Sequence, residues 1–521
     1  MSAVLFHGGR IHAGDGTSAE ALVARDGRVI ATGTAADLGR EHSDAERVDL
    51  RGGLMTAGWH DAHVHFTWWA IQMGQIDLRD EPTVDAALAR IEAYARQLPA
   101  SAWILGGRFD KNRWGRWPTA AELDRVSGGR PAALRSRDGH SRWLNTAALR
   151  MASIDRATEA PAGGALERDH GGAPTGILKE NANSLADRVV PPPTVDDCVA
   201  AVARGQQEAH KRGITAIEDL EGSAAFSAFQ RARDRDELRL RVAMGIPHAS
   251  LDHALALGLR TGLGDEWLRV GHLKIFTDGA LGSQTAALEE PYEGTADRGL
   301  LTIDPDRLTG DVARAAAMGI AVAIHAIGDR AVHVALDAIA PTRATHPGLR
   351  QRIEHVQLLR RQDIARFGSL GVIASMQPIH ATSDRDLVDR YWGPERAARA
   401  YPWRSLLDTG GRLAFGSDAP VEPIDPLLGI HAAVARQRPG DPGRWHPEEA
   451  LSLAEAIAGY TSGAAYAMRA EGERGTLAVG MRCDATVVEG DLAATPVGDW
   501  PGLKVTGTVV GGEVVYALGI G

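Results

Sequence analysis

GIAVAIHAIG, residues 319–328, is a short apolar run that ends in a histidine, two apolar residues and a glycine. An amphipathic segment precedes it (RLTGDVARAAAMG, 307–319) and another follows it (RAVHVALDAIAP, 330–341). A buried strand between helices is the βα unit of parallel sheets. Comparable apolar runs occur at residues 213–220, 268–279, 349–357, 371–378 and 412–420. Several such units in succession favour a (β/α)8 TIM barrel over an open sheet.

The two ends of the chain have a different pattern. Residues 1–55 and 470–521 alternate apolar and polar residues around glycine-containing turns, as β-hairpins do. We expect both ends to form one small β-sandwich domain; the alternative is two unrelated β segments. Residues 56–469 are then the barrel. The Trp- and Arg-rich segment at about 70–190 is expected to be a large insertion after the first barrel strand, over the face where barrels bind substrates.

Composition excludes several classes of protein. The 521 residues are 44% hydrophobic and 24% charged, as in globular proteins, and the net charge of −10 argues against nucleic-acid binding. Two cysteines, Cys198 and Cys483, do not make a disulfide framework or a thiolate zinc site. The sequence shows no signal-peptide pattern and no apolar run of about 18 residues. We expect a cytoplasmic protein with a small-molecule substrate and no membrane partner.

Histidines are the first candidate metal ligands. In the segment GWHDAHVH, His63 and His65 are two residues apart, so in a strand both point to the same side and can share a metal ion. His60 has the opposite parity and is left out. His325 and His355 each lie near the end of a predicted strand, where barrel active sites are found. For each of these two alone, a core histidine is the better explanation.

An aspartate and a lysine extend this set. Asp418 follows an apolar strand, where an unpaired buried carboxylate is costly, although a turn or a helix cap would also explain it. Lys274 lies inside an apolar strand, where a buried ammonium is costly. It could pair with Asp278, or it could be a neutral amine that reacts with carbon dioxide to give a carbamate between two metal ions. Ligands of this nitrogen and oxygen type suit zinc.

The motifs together resemble the amidohydrolase superfamily, specifically the YtcJ-like branch that includes N-substituted formamide deformylases. The matching segments between about residues 50 and 425 include TAGWHDAHVHF, GGRFDKNRW, RSRDGHSRWLNTAAL, KIFTDGALGSQTAAL, AIHAIGDRAV and FGSDAPVEP. The resemblance implies two Zn²⁺ ions per chain, or one, held by His63, His65, Lys274, His325, His355 and Asp418. It implies that Lys274 is carboxylated and bridges the ions. A homodimer would follow only by analogy with other barrels.

The catalytic roles follow from this ligand set and from the resemblance. Asp418 is expected to accept a proton from the attacking water and return it to the leaving amine. The resemblance places His140, in RSRDGHSRWLN (135–145), near the substrate carbonyl, where it would stabilise the oxyanion. Arg137 and Asp138 in the same loop are candidate substrate contacts, or they form a salt bridge with each other.

Three further residues are candidate substrate contacts. Gln377 and His380 follow a predicted strand in MQPIH (376–380). Trp114, in FDKNRW (109–114), is expected either to form an apolar wall of the pocket or to pack the insertion.

The predicted reaction is hydrolysis of a C–N bond in an amide, an N-substituted formamide or a cyclic amide. Deaminases of this superfamily carry a catalytic Glu three residues after the histidine equivalent to His325; here that position is Gly328, followed by Asp329, which weakens a deaminase interpretation. Two alternatives remain open. One is hydrolysis of an ester or a lactone at the same site, and the other is a catalytically silent binding or regulatory protein.

Overall fold

Alternating apolar residues form short strands at the N-terminus of the chain. The computed structural model describes residues 3–14 and 17–521. Helix α1 covers Ala35–Glu41, and Thr34 caps it by accepting a hydrogen bond from the Asp37 backbone N–H. The strands are β1 (Val4–His7), β2 (Arg10–His12), β3 (Ser18–Ala19), β4 (Ala21–Arg25), β5 (Arg28–Gly33), β6 (Glu46–Asp49) and β7 (Leu54–Ala57).

The first barrel strand, β8 (Trp59–Val64), leads through helix α2 (Phe66–Gln72) into the insertion. The insertion is built on a six-stranded mixed sheet with its own apolar core, which includes Leu88, Ile104 and Trp143. Its strands are β9 (Ile76–Asp77), β10 (Ile104–Phe109), β11 (Ala132–Ser136), β12 (Ser141–Leu144), β13 (Gly164–Arg168) and β14 (Pro174–Glu180). Its helices are α3 (Val84–Ala95), α4 (Lys111–Trp114), α5 (Ala120–Asp124), α6 (Thr146–Met151) and α7 (Asn183–Asp187).

Seven more parallel strands follow and complete an eight-stranded sheet with β8. They are β15 (Ile214–Asp219), β16 (Arg241–Pro247), β17 (Leu268–Phe276), β18 (Val322–Ala326), β19 (Arg352–His355), β20 (Ile373–Met376) and β21 (Arg412–Phe415). The helices between and after them are α8 (Val195–His210), α9 (Ser223–Asp234), α10 (Leu251–Ala256), α11 (Pro305–Ala317), α12 (Asp329–Thr345), α13 (Arg361–Leu370), α14 (Pro378–Ser383), α15 (Arg385–Tyr391), α16 (Gly393–Ala397), α17 (Trp403–Asp408) and α18 (Pro426–Ala435).

Backbone hydrogen bonds beyond β21 bring the last strand beside the first. The Asp418 N–H donates to the His63 carbonyl at 2.8 Å, and the His65 N–H donates to the Ala419 carbonyl at 2.9 Å. The barrel strands are buried on both faces, as parallel strands covered by helices are. In β18, Val322 and Ile324 pack in the core while the alternate residues face the barrel interior.

The C-terminus returns to the sheets of the N-terminus. After α19 (Leu453–Ala458) and α20 (Ala464–Ala467), strands β22 (Ala485–Val488), β23 (Val505–Val510) and β24 (Glu513–Ala517) form a sheet in the order β24-β23-β22-β7-β2-β3. The second sheet has the order β5-β4-β1-β6, and apolar side chains of both sheets share one core. The predicted fold class, a barrel with a β-sandwich made from both termini and an insertion, is confirmed.

Short helical turns complete the chain at His248–Ser250, Pro447–Glu449, Gly459–Gly463 and Val497–Gly502. Within residues 3–14 and 17–521, every helix is too short or too polar to span a bilayer.

Candidate metal centre and active site

The end of β8 presents two histidines to one carboxylate. His63 is buried, and its Nε2 lies 3.3 Å from Oδ1 of Asp418. Nε2 of His65 lies 3.4 Å from the same oxygen. The other ring nitrogen of His63, Nδ1, is 2.6 Å from Oε2 of Glu354, which fixes the ring so that Nε2 faces Asp418. Alternation along the strand therefore brings both histidines to the same point.

His355 completes a compact cluster with His63 and Asp418. The candidate ligand atoms of these three side chains all lie within 4.8 Å of one another. His355 and Asp418 both have left-handed backbone conformations, with φ of 73° and 57°. Such strain in non-glycine residues is concentrated at functional sites, where the surrounding structure enforces it. Oε1 of Gln377 is 2.8 Å from Nδ1 of His355, and this contact fixes the orientation of the ring.

His325 stands beside this cluster. Its ring centroid is 4.5 Å from that of His355, and its Nε2 lies 3.1 Å from the carbonyl oxygen of Gly279. Nε2 of His325 also lies 3.5 Å from Oδ1 of Asp278. The ring lines the same cavity as the cluster.

Lys274 lies in the barrel interior with only 3% of its surface exposed. Its Nζ has no hydrogen-bond partner among the described residues. Burial lowers the pKa of Lys274 to about 8, against the raising effect of Glu354 and Asp418. The pairing with Asp278 that could have explained this lysine is not observed. The Asp278 carboxylate instead accepts hydrogen bonds from the backbone N–H groups of Ala287, Ile327 and Gly328.

These side chains fit a divalent cation. In the described part of the chain, the buried Nζ of Lys274 has no hydrogen-bond partner, and the buried Nε2 of His63 makes no well-aligned hydrogen bond although Oδ1 of Asp418 lies 3.3 Å away. Buried polar atoms are nearly always satisfied, so two such atoms beside one carboxylate indicate a missing partner. Burial raises the pKa of Asp418, but His63 and His65 outweigh it and hold the pKa well below its usual range. The carboxylate is therefore charged and available to a cation.

A cavity of about 870 Å³ opens above the cluster, between the barrel mouth and the insertion. His140 lines it, with its ring centroid 5.5 Å from that of His325. Nδ1 of His140 is 2.8 Å from Oε2 of Glu180. Burial alone would lower the pKa of His140, but the Glu180 carboxylate raises it to about 9. The imidazole is therefore protonated at neutral pH and can donate a hydrogen bond to a ligand.

Arg137 and Asp138 also line the cavity, but they do not pair with each other. Nη2 of Arg137 is 2.5 Å from Oε1 of Glu422, and this carboxylate raises the pKa of Arg137. Asp138 accepts hydrogen bonds from the Ser136 hydroxyl at 2.5 Å and from the His140 backbone N–H at 3.0 Å. Asp138 therefore positions the loop that carries His140.

The remaining candidate contacts divide into two groups. His380 lines the cavity, with Nε2 at 3.7 Å from Oδ2 of Asp418. Gln377 and Trp114 do not line this cavity, and substrate contact by either of them stays a prediction. Gln377 is turned towards His355, and Trp114 packs in the insertion, stacked on Phe109 at 5.5 Å between ring centroids.

Comparison with known proteins assigns this chain to a family. A family model described as the amidohydrolase family matches residues 46–516. The chain belongs to the amidohydrolase family. It is 32% identical to the putative amidohydrolase YtcJ of Bacillus subtilis (strain 168), over 98% of this chain and 99% of that protein. It is 29% identical to the N-substituted formamide deformylase of Arthrobacter pascens, over 96% and 95% of the two chains.

A solved structure shares both the fold and part of the sequence. An uncharacterised metal-dependent hydrolase from Pyrococcus horikoshii OT3 aligns with a TM-score of 0.78 and 28% identity, over 95% of this chain and 99% of that chain. Family membership and this similarity support a hydrolase, and the cluster of His63, His355 and Asp418 supports a divalent metal ion in it.

The amidohydrolase site also contains carboxylates that sequence reasoning missed. Glu354 lies between His63 and Arg352, 2.6 Å from each. Burial would raise the pKa of Glu354, but Arg352 and His63 hold it below its usual range. Glu218 lies on the other side of Arg352 at 2.9 Å. The sequence did contain a signal for them. Arg352 and Glu354 are charged residues at alternate positions of the short strand β19, and such residues predict oppositely charged partners inside the barrel.

Glu180 and Glu422, which hold His140 and Arg137, were also missed. Glu180 ends β14 of the insertion, and Glu422 follows the last barrel strand. Their partners are 40 and 285 residues away in sequence. A local pattern does not reveal such pairs.

Proposed function

We propose that this amidohydrolase hydrolyses a C–N bond in an amide, an N-substituted formamide or a cyclic amide. The observation that carries the proposal is the convergence of His63, His355 and Asp418 on one point at the floor of a cavity that Lys274 and His140 also line. A nitrogen and oxygen ligand set without thiolates suits Zn²⁺. The similarity to an N-substituted formamide deformylase supports this substrate class.

The proposed ligand set comprises His63, His65, Lys274, His325, His355 and Asp418. When bound, divalent cations supply Lewis-acid activation of a water molecule and of the substrate carbonyl. Lys274 joins the set as a carbamate. Burial lowers its pKa to about 8, which raises the fraction of neutral amine at neutral pH. The lone pair of the neutral amine bonds to the carbon of carbon dioxide and the nitrogen releases one proton, so that the neutral amine becomes an anionic ligand.

Asp418 is proposed to move the proton. Its pKa lies well below the usual range, so it is a free carboxylate at neutral pH and can accept a proton from the attacking water. It then gives this proton to the leaving nitrogen. A leaving amine needs a proton because an amide anion is a very poor leaving group.

His140 is proposed to stabilise the oxygen of the substrate carbonyl. Its protonated ring lines the cavity beside His325, and Glu180 keeps it charged. A charged donor directed at developing negative charge stabilises the transition state more than the substrate.

The test is Asp418→Asn in the metal-loaded enzyme, assayed on a panel of amides and formamides. We expect kcat to fall by about 10² to 10⁴-fold, the usual contribution of a general base, with most of the metal retained. Asp386→Asn is the matched control, because Asp386 lines the same cavity and pairs with Arg438 away from the cluster. A wild-type rate in Asp418→Asn would contradict the assigned role.

Matched amide and ester substrates with the same acyl group test the bond assignment. Both the wild type and Asp418→Asn are measured on each. An amine leaving group needs a proton more than an alcohol leaving group does. The kcat of Asp418→Asn should therefore fall further on the amide than on the ester. A wild-type enzyme that cleaves the esters of the panel and none of the amides would overturn the C–N assignment.

A further inference from the structure

A second cavity, of about 500 Å³, lies between helix α2 and the insertion sheet. Residues of α2, β10, β11 and β12 line it, together with the proline run 191–193. Trp68 lines both this cavity and the catalytic cavity, so the two share one wall. The volume falls within the range of small-molecule sites.

The side-chain amide of Gln72 lines this second cavity. Gln72, at the end of α2, is only 7% exposed. Neither its Nε2 nor its Oε1 has a hydrogen-bond partner in the part of the chain that the structure describes. Burying a primary amide without a partner is costly, so the position indicates a missing polar partner.

Two guanidinium groups line the same cavity. Arg142 is 3% exposed; its Nη2 is 2.5 Å from Asp187, and its Nη1 has no partner among the described residues. Arg135 lies over the Trp68 ring, 5.1 Å from the centroid. No carboxylate of residues 3–14 and 17–521 forms an ion pair with Arg135 within 4.0 Å. Among the described residues, the two guanidinium groups therefore share one direct carboxylate contact, that of Asp187 with Arg142.

The other carboxylate of the cavity is already engaged. The two oxygens of Glu221 accept hydrogen bonds from the backbone N–H groups of Thr67 and Trp68, at 3.0 and 2.8 Å. Glu221 thus satisfies the first turn of α2, where free N–H groups favour a negative charge. It forms no ion pair with Arg135 within 4.0 Å in the described part of the chain, and its charge acts on Arg135 only at longer range.

We propose that the second cavity is a binding site for a small organic carboxylate with an apolar body. The carboxylate oxygens accept hydrogen bonds from Arg135 and from Nη1 of Arg142, and the Gln72 amide supplies a further donor. Ile71, Leu105 and Val190 provide apolar contacts for the body of the acid. An uncharged ligand would leave Arg135 without a direct charged partner, and an inorganic anion would leave the apolar walls in contact with water.

Calorimetric titration of the metal-loaded enzyme with benzoate tests the site. We expect saturable binding to the wild type and at least tenfold weaker binding to Arg135→Met, which keeps a long side chain against Trp68. Gln72→Leu should also weaken binding severalfold and should fold well, because it removes only unpartnered polar atoms. Arg150→Met is the matched control, since Arg150 is an exposed arginine of α6 in the same insertion, and it should bind as the wild type does.

Several results would overturn the proposal. Equal benzoate binding by all four proteins would place the acid at the metal centre alone. Equal binding of benzamide would remove the requirement for charge, and equally tight binding of sulfate at matched ionic strength would reduce the site to a general anion site.

The source of the acid is tested by titrating the acid that the enzyme releases from its best amide substrate. Tighter binding of that acid than of benzoate supports a product site, and weaker binding supports a site for an unrelated acid.

Discussion

The charge of His140 depends on its hydrogen bond to Glu180. Glu180 is in turn held by the Thr285 hydroxyl at 2.5 Å and the Ser283 hydroxyl at 3.3 Å. This arrangement keeps the carboxylate beside Nδ1 of the imidazole, which raises the pKa of His140 to about 9. At the scale of single residues, the Glu180 carboxylate thus sets the pH range in which His140 is protonated and can donate a hydrogen bond to a ligand in the cavity.

Glu180→Gln should therefore shift the alkaline limb of activity to lower pH. Without the carboxylate, burial dominates and the pKa of His140 falls, so the ring loses its proton at a lower pH. The profile of kcat/KM against pH measures this shift. Ser283→Ala keeps the carboxylate and should leave the alkaline limb nearly in place. An unchanged limb in Glu180→Gln would mean that His140 is not the group that titrates.

Glu354→Gln should weaken metal binding by about 10 to 100-fold, the usual effect of removing a carboxylate behind a ligating histidine. The change removes the charge that orients His63 through its Nδ1. Competition with a chelator measures the metal affinity.

Glu218→Gln is the matched control for this variant. Glu218 is an equally buried carboxylate that pairs with Arg352, but its histidine partner, His272, is not among the proposed ligands. Both variants should lose stability, and only Glu354→Gln should lose metal affinity. Equal loss of affinity in the two would assign the effect to general damage of the barrel interior.

Patterns among neighbouring residues identify some of the site residues from the sequence but not their distant partners. Alternation in β8 identifies His63 and His65 as a pair because the rule needs only neighbouring residues. It does not identify Glu354 as the partner of His63, since the two are 291 residues apart. The same limit applies to Gln377. Its position after a strand suggests a cavity residue, while its contact with His355 depends on how two strands meet.

At the scale of elements, the junction between β21 and β8 positions the metal centre. Gly416 follows β21, and a β-carbon there would lie 2.5 Å from the backbone nitrogen of His63 and 2.7 Å from Oδ1 of Asp61. Asp61 in turn accepts hydrogen bonds from the backbone N–H and the hydroxyl of Ser417. The close approach of these two strand ends therefore requires glycine.

Gly416→Ala should push the strand ends apart and displace Asp418 from His63, with loss of most activity and a lower melting temperature. Activity and thermal unfolding are measured together. Gly348→Ala is the control, because a β-carbon at Gly348 meets no atom within 4 Å. A fully active Gly416→Ala would show that the junction tolerates a wider spacing.

The elements of the barrel follow from the sequence more readily than those of the insertion. Apolar runs such as GIAVAIHAIG fall at β18 because a strand buried on both faces needs continuous apolar residues. The insertion mixes parallel and antiparallel pairs, with β10 parallel to β11 and β11 antiparallel to β12. The strands of the insertion depend on pairing with distant segments and carry no clear local pattern. The sequence therefore indicates that an insertion is present but does not reveal the sheet inside it.

At the scale of the whole molecule, a buried ion pair ties the terminal sheets to the barrel. Arg241 begins β16, and its Nε and Nη2 are 2.5 and 2.8 Å from the two oxygens of Asp484, which precedes β22. Burial raises the pKa of Asp484, but the Arg241 charge outweighs it and holds the pKa below its usual range. The charged form is therefore stabilised by folding.

Asp484→Asn should destabilise the protein by about 3–5 kcal/mol at neutral pH, because it leaves the buried Arg241 with only Glu266 as a charged partner. A carboxylate with a lowered folded pKa stabilises above its unfolded pKa of about 3.9, and this contribution disappears as the pH falls through the folded pKa. Urea midpoints of the wild type and the variant should thus differ at pH 7 and converge in acid. Asp499→Asn, at an exposed terminal position, should match the wild type at every pH.

The pairing of β7 with β22 has a consequence for the order of synthesis. Ala57 lies opposite Ala485 in that sheet, about 430 residues later in the chain. At a translation rate of about 5 to 20 residues per second, β7 leaves the ribosome roughly 20 to 90 s before its neighbour exists. The edge of β7 stays open throughout that interval, so a nascent chain of this protein offers molecular chaperones a binding edge that the finished protein no longer has.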